Sequence, residues 1–443
     1  MPTSPFNPSL QEKVFNSQLP QLQAEKLRNQ IRYVYDRSEF YRRKLDQAGI
    51  SPEHIQGLRD LAKIPFTTKD ELRESQLAAP PLGLHGAVPM EDIIRIHASS
   101  GTTGRPTYVG ITDSDREVWN EIVSRVMYTG GMRRESRVVF AMGLTFFVGS
   151  SAKEGIERLG ATFIPIGTGA SDRVISSIID LKADVMLCTP SYSFYLAEHV
   201  RNKWGMEPKE LGLKLISTGG EPGGGMPEIR RRIEEDWGCR VVEAMGNADM
   251  APVLFGECSE QNGMHFVAPD YVICEIIDPE SGQPIELSQD CEGELVYTAI
   301  DRQCVPLLRF RTRDLVRVET APCSCGLNSF RIRCIGRTDD MLIVRGVNVF
   351  PSAIRDVISM FRPKTTGEIQ ILLHQPPPLV NPPLPVLVEH GNGLTEEELH
   401  RLKSELENEL RTKLFFSANI ELVPPGTLPR FEMKAKLVKE MFK

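Results

Sequence analysis

The sequence lacks an excess of positive charge: 52 Lys and Arg stand against 59 Asp and Glu, a net charge of −7. Without a basic field to neutralise phosphates, nucleic-acid binding is excluded as a principal activity. No apolar run approaches the roughly 18 residues of a membrane span. The opening, MPTSPFNPSLQEKVFNSQLP, has neither the basic start nor the apolar middle of a secretory signal. The expectation is a soluble cytoplasmic chain with no membrane partner. The nine cysteines are odd in number and begin only at Cys188. That distribution argues against a disulfide framework and for free thiols plus a metal site. No internal repeat is present. The one loop dense in Ser, Thr and Gly, ASSGTTGRPTYVG at 98–110, lacks the GK[ST] ending of a P-loop.

What is there is an ordinary globular composition in a chain too long for one core. Its 443 residues exceed the roughly 250–300 at which single cores stop growing. From Leu10 to Leu45 the apolar spacing, with Leu27, Ile31, Val34 and Tyr35 among charges, predicts helix; PFTTKD at 65–70 predicts a helix start capped by Thr67 or Thr68. Between about 137 and 215, β-rich runs such as RVVFAMGL and LKLISTGG alternate with helical stretches, the rhythm of a largely parallel sheet. After Glu257 closely spaced strands predict a β-rich subdomain. The rest reads as a small α+β unit, whose long helix opens on Thr395 and Glu398 at capping-box spacing. HQPPPLVNPPLP at 374–385 is either a stiff surface connection or a ligand-recognition segment. The fold class is therefore α/β: a large multi-subdomain N-terminal body of mixed or parallel sheets with helices, and a small C-terminal domain.

The Ser/Thr/Gly loop taken alone either wraps phosphate oxygens, because glycine exposes backbone N–H groups to an anion, or simply turns the chain. Four further segments decide: STGGEPGG at 217–224, RFRTRD at 309–314, GRTDDMLIVRGVNVFPSAI at 336–354 and RFEMKAKLVKE at 430–440. With these, in this order, the chain resembles the acyl-adenylate-forming superfamily, and within it the phenylacetate-CoA ligase family. The resemblance runs from PFTTKD to the C-terminus.

It implies two half-reactions. A carboxylate attacks the α-phosphorus of ATP to give an acyl-adenylate and pyrophosphate; the thiol of CoA then displaces AMP. It implies domains at 1–336 and 337–443, the second a mobile lid. Ser99, Ser100, Gly101, Thr102, Thr103 and Gly104 are expected on the β and γ phosphates, with Arg105 where the family has lysine. Gly220, Glu221 and Pro222 are expected along the adenine and Asp314 on both ribose hydroxyls, a task suited to a two-oxygen acceptor. Arg337 is expected on the ribose and Asp339 at the hinge. Lys434 is expected on the reacting carboxylate and the α-phosphate, its charge set where negative charge develops. Gly346 and Pro351 bracket a turn expected along the CoA arm. Expected ligands are a carboxylic acid, ATP, Mg²⁺ and CoA, with a homodimer as the oligomer to look for.

The family's Tyr-Gly-x-Ser/Thr-Glu motif reads MGNAD here: Met245 for the aromatic, then Gly246 and Asn247, Ala248 without a hydroxyl, and Asp249 one methylene shorter than Glu. Mg²⁺ accepts Asp, so a catalytic role stays with Asp249. Met433 stands where the family has Gly before the lysine. These departures keep two alternatives open: transfer of the acyl group to an amine, hydroxyl or carrier thiol, and a degenerate member that only binds. Cys258 and His265 (C-x6-H) with Cys323 and Cys325 (C-x-C) supply the four N/S ligands of a structural zinc, the alternative being free buried thiols. The remaining cysteines read as core. For the acid, the resemblance points to Phe146, Phe147 and Tyr192 as flat walls suited to an aryl or arylacetic acid; core packing is the alternative.

Overall fold

The computed structural model describes residue 12 and residues 14–99, 106–143, 149–167, 169–287, 291–345, 347–431 and 435–442. The N-terminal helical stretch divides into α1 (Leu19–Arg37) and α2 (Glu39–Gln47), broken at Ser38, whose hydroxyl caps the second helix at the N–H of Tyr41. Leu27, Ile31 and Val34 are fully buried. α3 (Lys69–Ala78) starts in the predicted PFTTKD segment. Its cap is Thr68, in a reciprocal box with Glu71, while the backbone of Thr67 bonds that of Arg309.

β1 (Arg95–Ala98) and β2 (Tyr108–Ile111) pair antiparallel, and the N–H of Ser99 donates to the carbonyl of Thr107 at 2.9 Å. Ser99 and Thr107 therefore close one end of a two-stranded ribbon. Beyond it come α4 (Asp113–Thr129), β3 (Arg137–Phe140), α5 (Gly149–Leu159), β4 (Thr162–Pro165), α6 (Ser171–Asp180), β5 (Val185–Cys188), α7 (Pro190–His199), β6 (Leu215–Thr218), α8 (Pro227–Trp237) and β7 (Arg240–Asn247). This is the predicted βαβ alternation, and β4, β3, β5, β6 and β7 lie side by side, all parallel.

The β-rich part does not form a separate sheet. β8 (Ala251–Glu257), β9 (Met264–Phe266), β10 (Val272–Ile277), β11 (Cys291–Ala299), β12 (Phe310–Glu319) and β13 (Arg331–Arg337) continue the parallel strands into one eleven-stranded sheet, antiparallel from β7 onward. Consequently the carboxyl ends of β6 and β7, where parallel sheets bind ligands, face the same region as the β12–β13 pair.

The C-terminal domain carries β14 (Leu342–Val344), β15 (Val347–Val349), α9 (Pro351–Ser359), β16 (Thr365–Leu373), β17 (Leu379–Val380), β18 (Leu384–His390), α10 (Glu396–Leu414), β19 (Ala418–Val423) and β20 (Val438–Glu440). β19, β18, β16 and β20 form its sheet, and Thr395 and Glu398 cap α10 reciprocally, as their spacing predicts. The proline-rich connection contains β17, which pairs parallel with β14.

Candidate active site and metal centre

A cavity of about 220 Å³ opens where β6 and β7 end, walled on one side by β12 and β13. Ser99, Gly220, Glu221, Pro222, Met245, Gly246, Asn247, Asp249, Asp314, Arg337 and Asp339 all line it, joined by Lys69, Arg73 and Glu243, which sequence reasoning did not single out. Ser100, Gly101, Thr102, Thr103, Gly104, Arg105, Phe146, Phe147, Gly346 and Lys434 lie outside the described residues.

The acidic corner is organised by one guanidinium. Cross-strand register sets Asp314 opposite Arg337. Arg337 Nη1 donates to Asp314 Oδ1 at 2.8 Å, while Nε and Nη2 grip both oxygens of Asp339 at 2.8 and 3.0 Å. Burial raises the Asp314 pKa, and its single bond from Arg337 only partly offsets this. At Asp339 burial acts in the same direction, but the two-pronged contact prevails and holds its carboxyl below the ordinary value. Arg313 reaches Asp70 on α3 at 3.0 Å, adopting φ of +65°, a left-handed conformation seldom taken by a long side chain.

The MGNAD turn joins β7 to β8. Gly246 is required there: a Cβ would lie 2.2 Å from the Pro252 carbonyl oxygen of the paired strand. Asp249 is almost fully buried, and both its oxygens have partners. Thr107 donates to Oδ1 at 2.5 Å and Lys69 sits on Oδ2 at 2.9 Å. Thr107 also bonds the Ser99 hydroxyl, so a chain of polar contacts runs from Ser99 to the MGNAD turn. Each oxygen carries one protein partner and keeps a further lone pair, so the carboxylate still offers a donor for Mg²⁺.

Glu221 lines the cavity, and its side chain accepts from two backbone N–H groups. Its Oε1 accepts the N–H of Ser191 at 2.7 Å and its Oε2 the N–H of Ala435 at 2.6 Å. Tyr192 does not line the cavity. It is wholly buried in the core beneath α7, its hydroxyl on Ser171 at 3.1 Å and its ring stacked on Tyr195. The core-packing alternative describes its position. Lys153 is exposed and pairs with Glu157.

Cys258 and His265, on and beside β8 and β9, meet Cys323 and Cys325 from the β12–β13 connection, with all four ligand atoms within 4.8 Å of one another. Bonds of about 2.3 Å to sulfur and 2.0–2.1 Å to nitrogen at tetrahedral angles require sulfur–sulfur separations of about 3.8 Å and sulfur–nitrogen of about 3.5 Å. Cys258 and Cys323 sulfurs are 3.7 Å apart, too far for a disulfide, and Cys325 Sγ lies 3.4 Å from His265 Nε2. The other imidazole nitrogen meets Ser329 Oγ at 3.0 Å, a partner that fixes the ring. Gly326, at φ +84°, lets the chain reverse immediately after the last sulfur. The donor set fits a tetrahedral ion. None of the nine cysteines is in a disulfide.

Glu243 on β7 supplies a pH test. Burial, reinforced by Glu257, pushes its carboxyl from 4.5 up to about 7. The folded chain thus keeps a proton that the unfolded chain releases near pH 4.5. The stabilisation from the neutral carboxyl is whole below pH 4.5 and is lost as pH rises through 7. Glu243→Gln stays neutral, so its unfolding free energy from urea titration is expected to decline less than that of wild type between pH 4.5 and 7.5, by a difference on the order of 3 kcal/mol. Parallel profiles would refute the shift.

The AMP-binding enzyme family model matches residues 15–299, and that of the AMP-binding enzyme C-terminal domain matches 346–441. Proteins named phenylacetate-coenzyme A ligase from Thermus thermophilus and Escherichia coli are 36% and 34% identical, over 96% and 94% of this chain and 97% and 94% of theirs. A solved 2-hydroxyisobutyryl-CoA ligase in the postadenylation state, with R3-HIB-AMP, superposes with a TM-score of 0.89 at 29% identity, covering 98% of this chain and 91% of its own. In the thioesterification state, with 2-HIB-AMP and CoA, that enzyme gives 0.71 at 30% identity, covering 97% and 91%. At nearly equal coverage, the arrangement of this chain is the nearer to the postadenylation one. No helix among the described residues is long and apolar enough to cross a membrane. By the family models and by identity along nearly its whole length, the chain belongs to the phenylacetate-coenzyme A ligase family of AMP-binding enzymes.

Proposed function

We propose that this chain uses ATP to convert an aromatic carboxylic acid, of the aryl or arylacetic class, into an acyl-adenylate and then into a CoA thioester. The observation that carries the reading is the gathering of Asp314, Arg337, Asp339, the 220–222 strip and the MGNAD turn around one cavity at the strand ends. The relatives' names supply the acid class, because Tyr192 is committed to the core and the two phenylalanines lie outside the described residues.

In the first half-reaction a carboxylate oxygen attacks the α-phosphorus and pyrophosphate leaves. Asp314 accepts from the ribose hydroxyls, with Arg337 beside it. The 220–222 backbone flanks the adenine, and residues 99–105 wrap the departing phosphates. Lys434 sets a positive charge against the negative charge that builds on the attacking and non-bridging oxygens. In the second, the CoA sulfur forms the C–S bond as the bond from acyl carbon to AMP breaks, after the lid from about residue 337 turns about Asp339. No step is assigned to Mg²⁺ through Asp249. Zinc at Cys258, His265, Cys323 and Cys325 supplies structural cross-linking: it ties the β8–β9 turn to the β12–β13 connection.

ATP–pyrophosphate exchange with phenylacetate and a panel of aryl acids tests the first step. Exchange in wild type is expected to fall by 100-fold or more in Lys434→Ala, and thioester is expected to appear only when CoA is added. Clean nucleotide binding without exchange for any acid would favour a binding-only protein; exchange without thioester would favour another acyl acceptor. Metal analysis of the purified chain is expected to find close to one zinc per chain, and less than about a tenth would sink the four-ligand site.

A further inference from the structure

A second cavity, of about 380 Å³, lies between the body and the C-terminal domain and shares no lining residue with the one at the strand ends. The body contributes Glu198, Arg201, Arg232 and Asp236 to its wall, and the C-terminal domain contributes the stretch from Arg362 to Thr366. Four cations there face two carboxylates, and neither carboxylate is free. Asp236 is held by Arg201 at 2.8 Å and Glu198 by Arg430 at 2.9 Å. The charges left over are those of Arg232, Arg362 and Lys364.

These three are poorly matched. Lys364 meets Glu405 of α10 at 3.2 Å with about half of its side chain still exposed. Arg362 uses its backbone N–H on Ser359, while its side chain makes no ion pair among the described residues. Arg232 is only 4% exposed, yet its Nε and Nη1 have no hydrogen-bond acceptor. Its ion-pair partner, Glu368, stands at 3.5 Å and is already gripped by Arg355 at 3.1 and 3.2 Å. The Phe194 ring covers the guanidinium at 3.8 Å, and β16 presses so close that a Cβ at Gly367 would lie 2.9 Å from Nη1. A buried guanidinium short of acceptors, sharing a cavity with a second one, is an arrangement that a bound anion completes. Two forked guanidiniums and an ammonium carry more charge than one carboxylate can answer, which favours a multiply charged oxyanion.

We propose that this cavity binds an inorganic phosphate anion between Arg232 of the body and Arg362 and Lys364 of the C-terminal domain. Because its ligands come from both parts, the anion ties them in the arrangement seen here and is released when they separate. By linkage it opposes the turning of the C-terminal domain. The consequence for catalysis rests on the functional reading above: bound phosphate slows thioester formation, the half-reaction that follows the turn.

Calorimetric titration of orthophosphate into the full chain saturated with AMP, at an ionic strength fixed with potassium chloride, tests the site. Arg362→Gln is expected to raise the Kd for phosphate about tenfold or more, and Lys364→Gln, at an exposed position, about threefold, both with AMP affinity unchanged. Acetate at the same concentration is expected not to compete. Absence of phosphate binding, a Kd in Arg362→Gln within about twofold of wild type, or equal competition by acetate would overturn the site. The tie between the domains is read from thioester formation with phenylacetyl-adenylate and subsaturating CoA. Saturating phosphate is expected to slow wild type severalfold and to leave Arg362→Gln nearly unaffected; equal slowing of both overturns the tie. A wild type that binds phosphate through Arg362 but forms no thioester overturns the functional reading and leaves the site standing.

Discussion

One guanidinium, that of Arg337, holds the site together. It is shared unequally, with one hydrogen bond to Asp314 and two to Asp339, and it sits at the last residue of the large sheet, where the chain leaves for the C-terminal domain. Removing one partner from a buried ion pair costs about 3–5 kcal/mol, because the charge left behind is stranded. Here one cation answers two carboxylates; Asp339 also has Arg313 at 3.8 Å, so loss of Arg337 would fall hardest on Asp314. The unequal sharing has a chemical use. Asp339 is kept firmly ionised at the junction, whereas Asp314, raised by burial, keeps most of its acceptor capacity for a ligand.

Around that clasp, the contacts between body and C-terminal domain are polar. Arg232 of α8 and Arg355 of α9 share the buried Glu368 of β16, at 3.5 Å for the first and 3.1–3.2 Å for the second, and both guanidiniums lie over the Phe194 ring. Burial lowers the Arg232 pKa to about 10, a sign that this charge is only partly compensated. An interface of charges and hydrogen bonds gives up less on opening than an apolar one of equal area, since water takes over each broken contact. That suits the turning of the C-terminal domain proposed above.

Much of this was legible in the sequence, and the parts that were not share a cause. The alternation of strands and helices, the caps at Thr68 and Thr395 and the motif glycines are local signals, and they give the elements. The ordered motifs brought Asp314, Arg337, Asp339 and the 220–222 strip to one cavity, and the C-x6-H and C-x-C spacings brought four ligands to one point. Spacing is silent about partners far away along the chain. Lys69 meets Asp249 across 180 residues and Thr107 meets it across 142, so the occupation of that carboxylate had no signature. Glu221 and Ala435 are 214 residues apart. Tyr192 is aromatic, and aromatic residues serve pockets and cores alike; its place in the core among Val174, Cys188 and Ile229 is set by tertiary packing, which composition cannot report.

In the proposed function Arg337 prepares a nucleotide site through its two carboxylates. Calorimetric titration of AMP into wild type and Arg337→Met, with circular dichroism to verify that the variant is folded, tests this most directly. Affinity is expected to fall about tenfold or more, in line with the loss of charge-assisted bonds. A folded variant that binds AMP within twofold of wild type would contradict it.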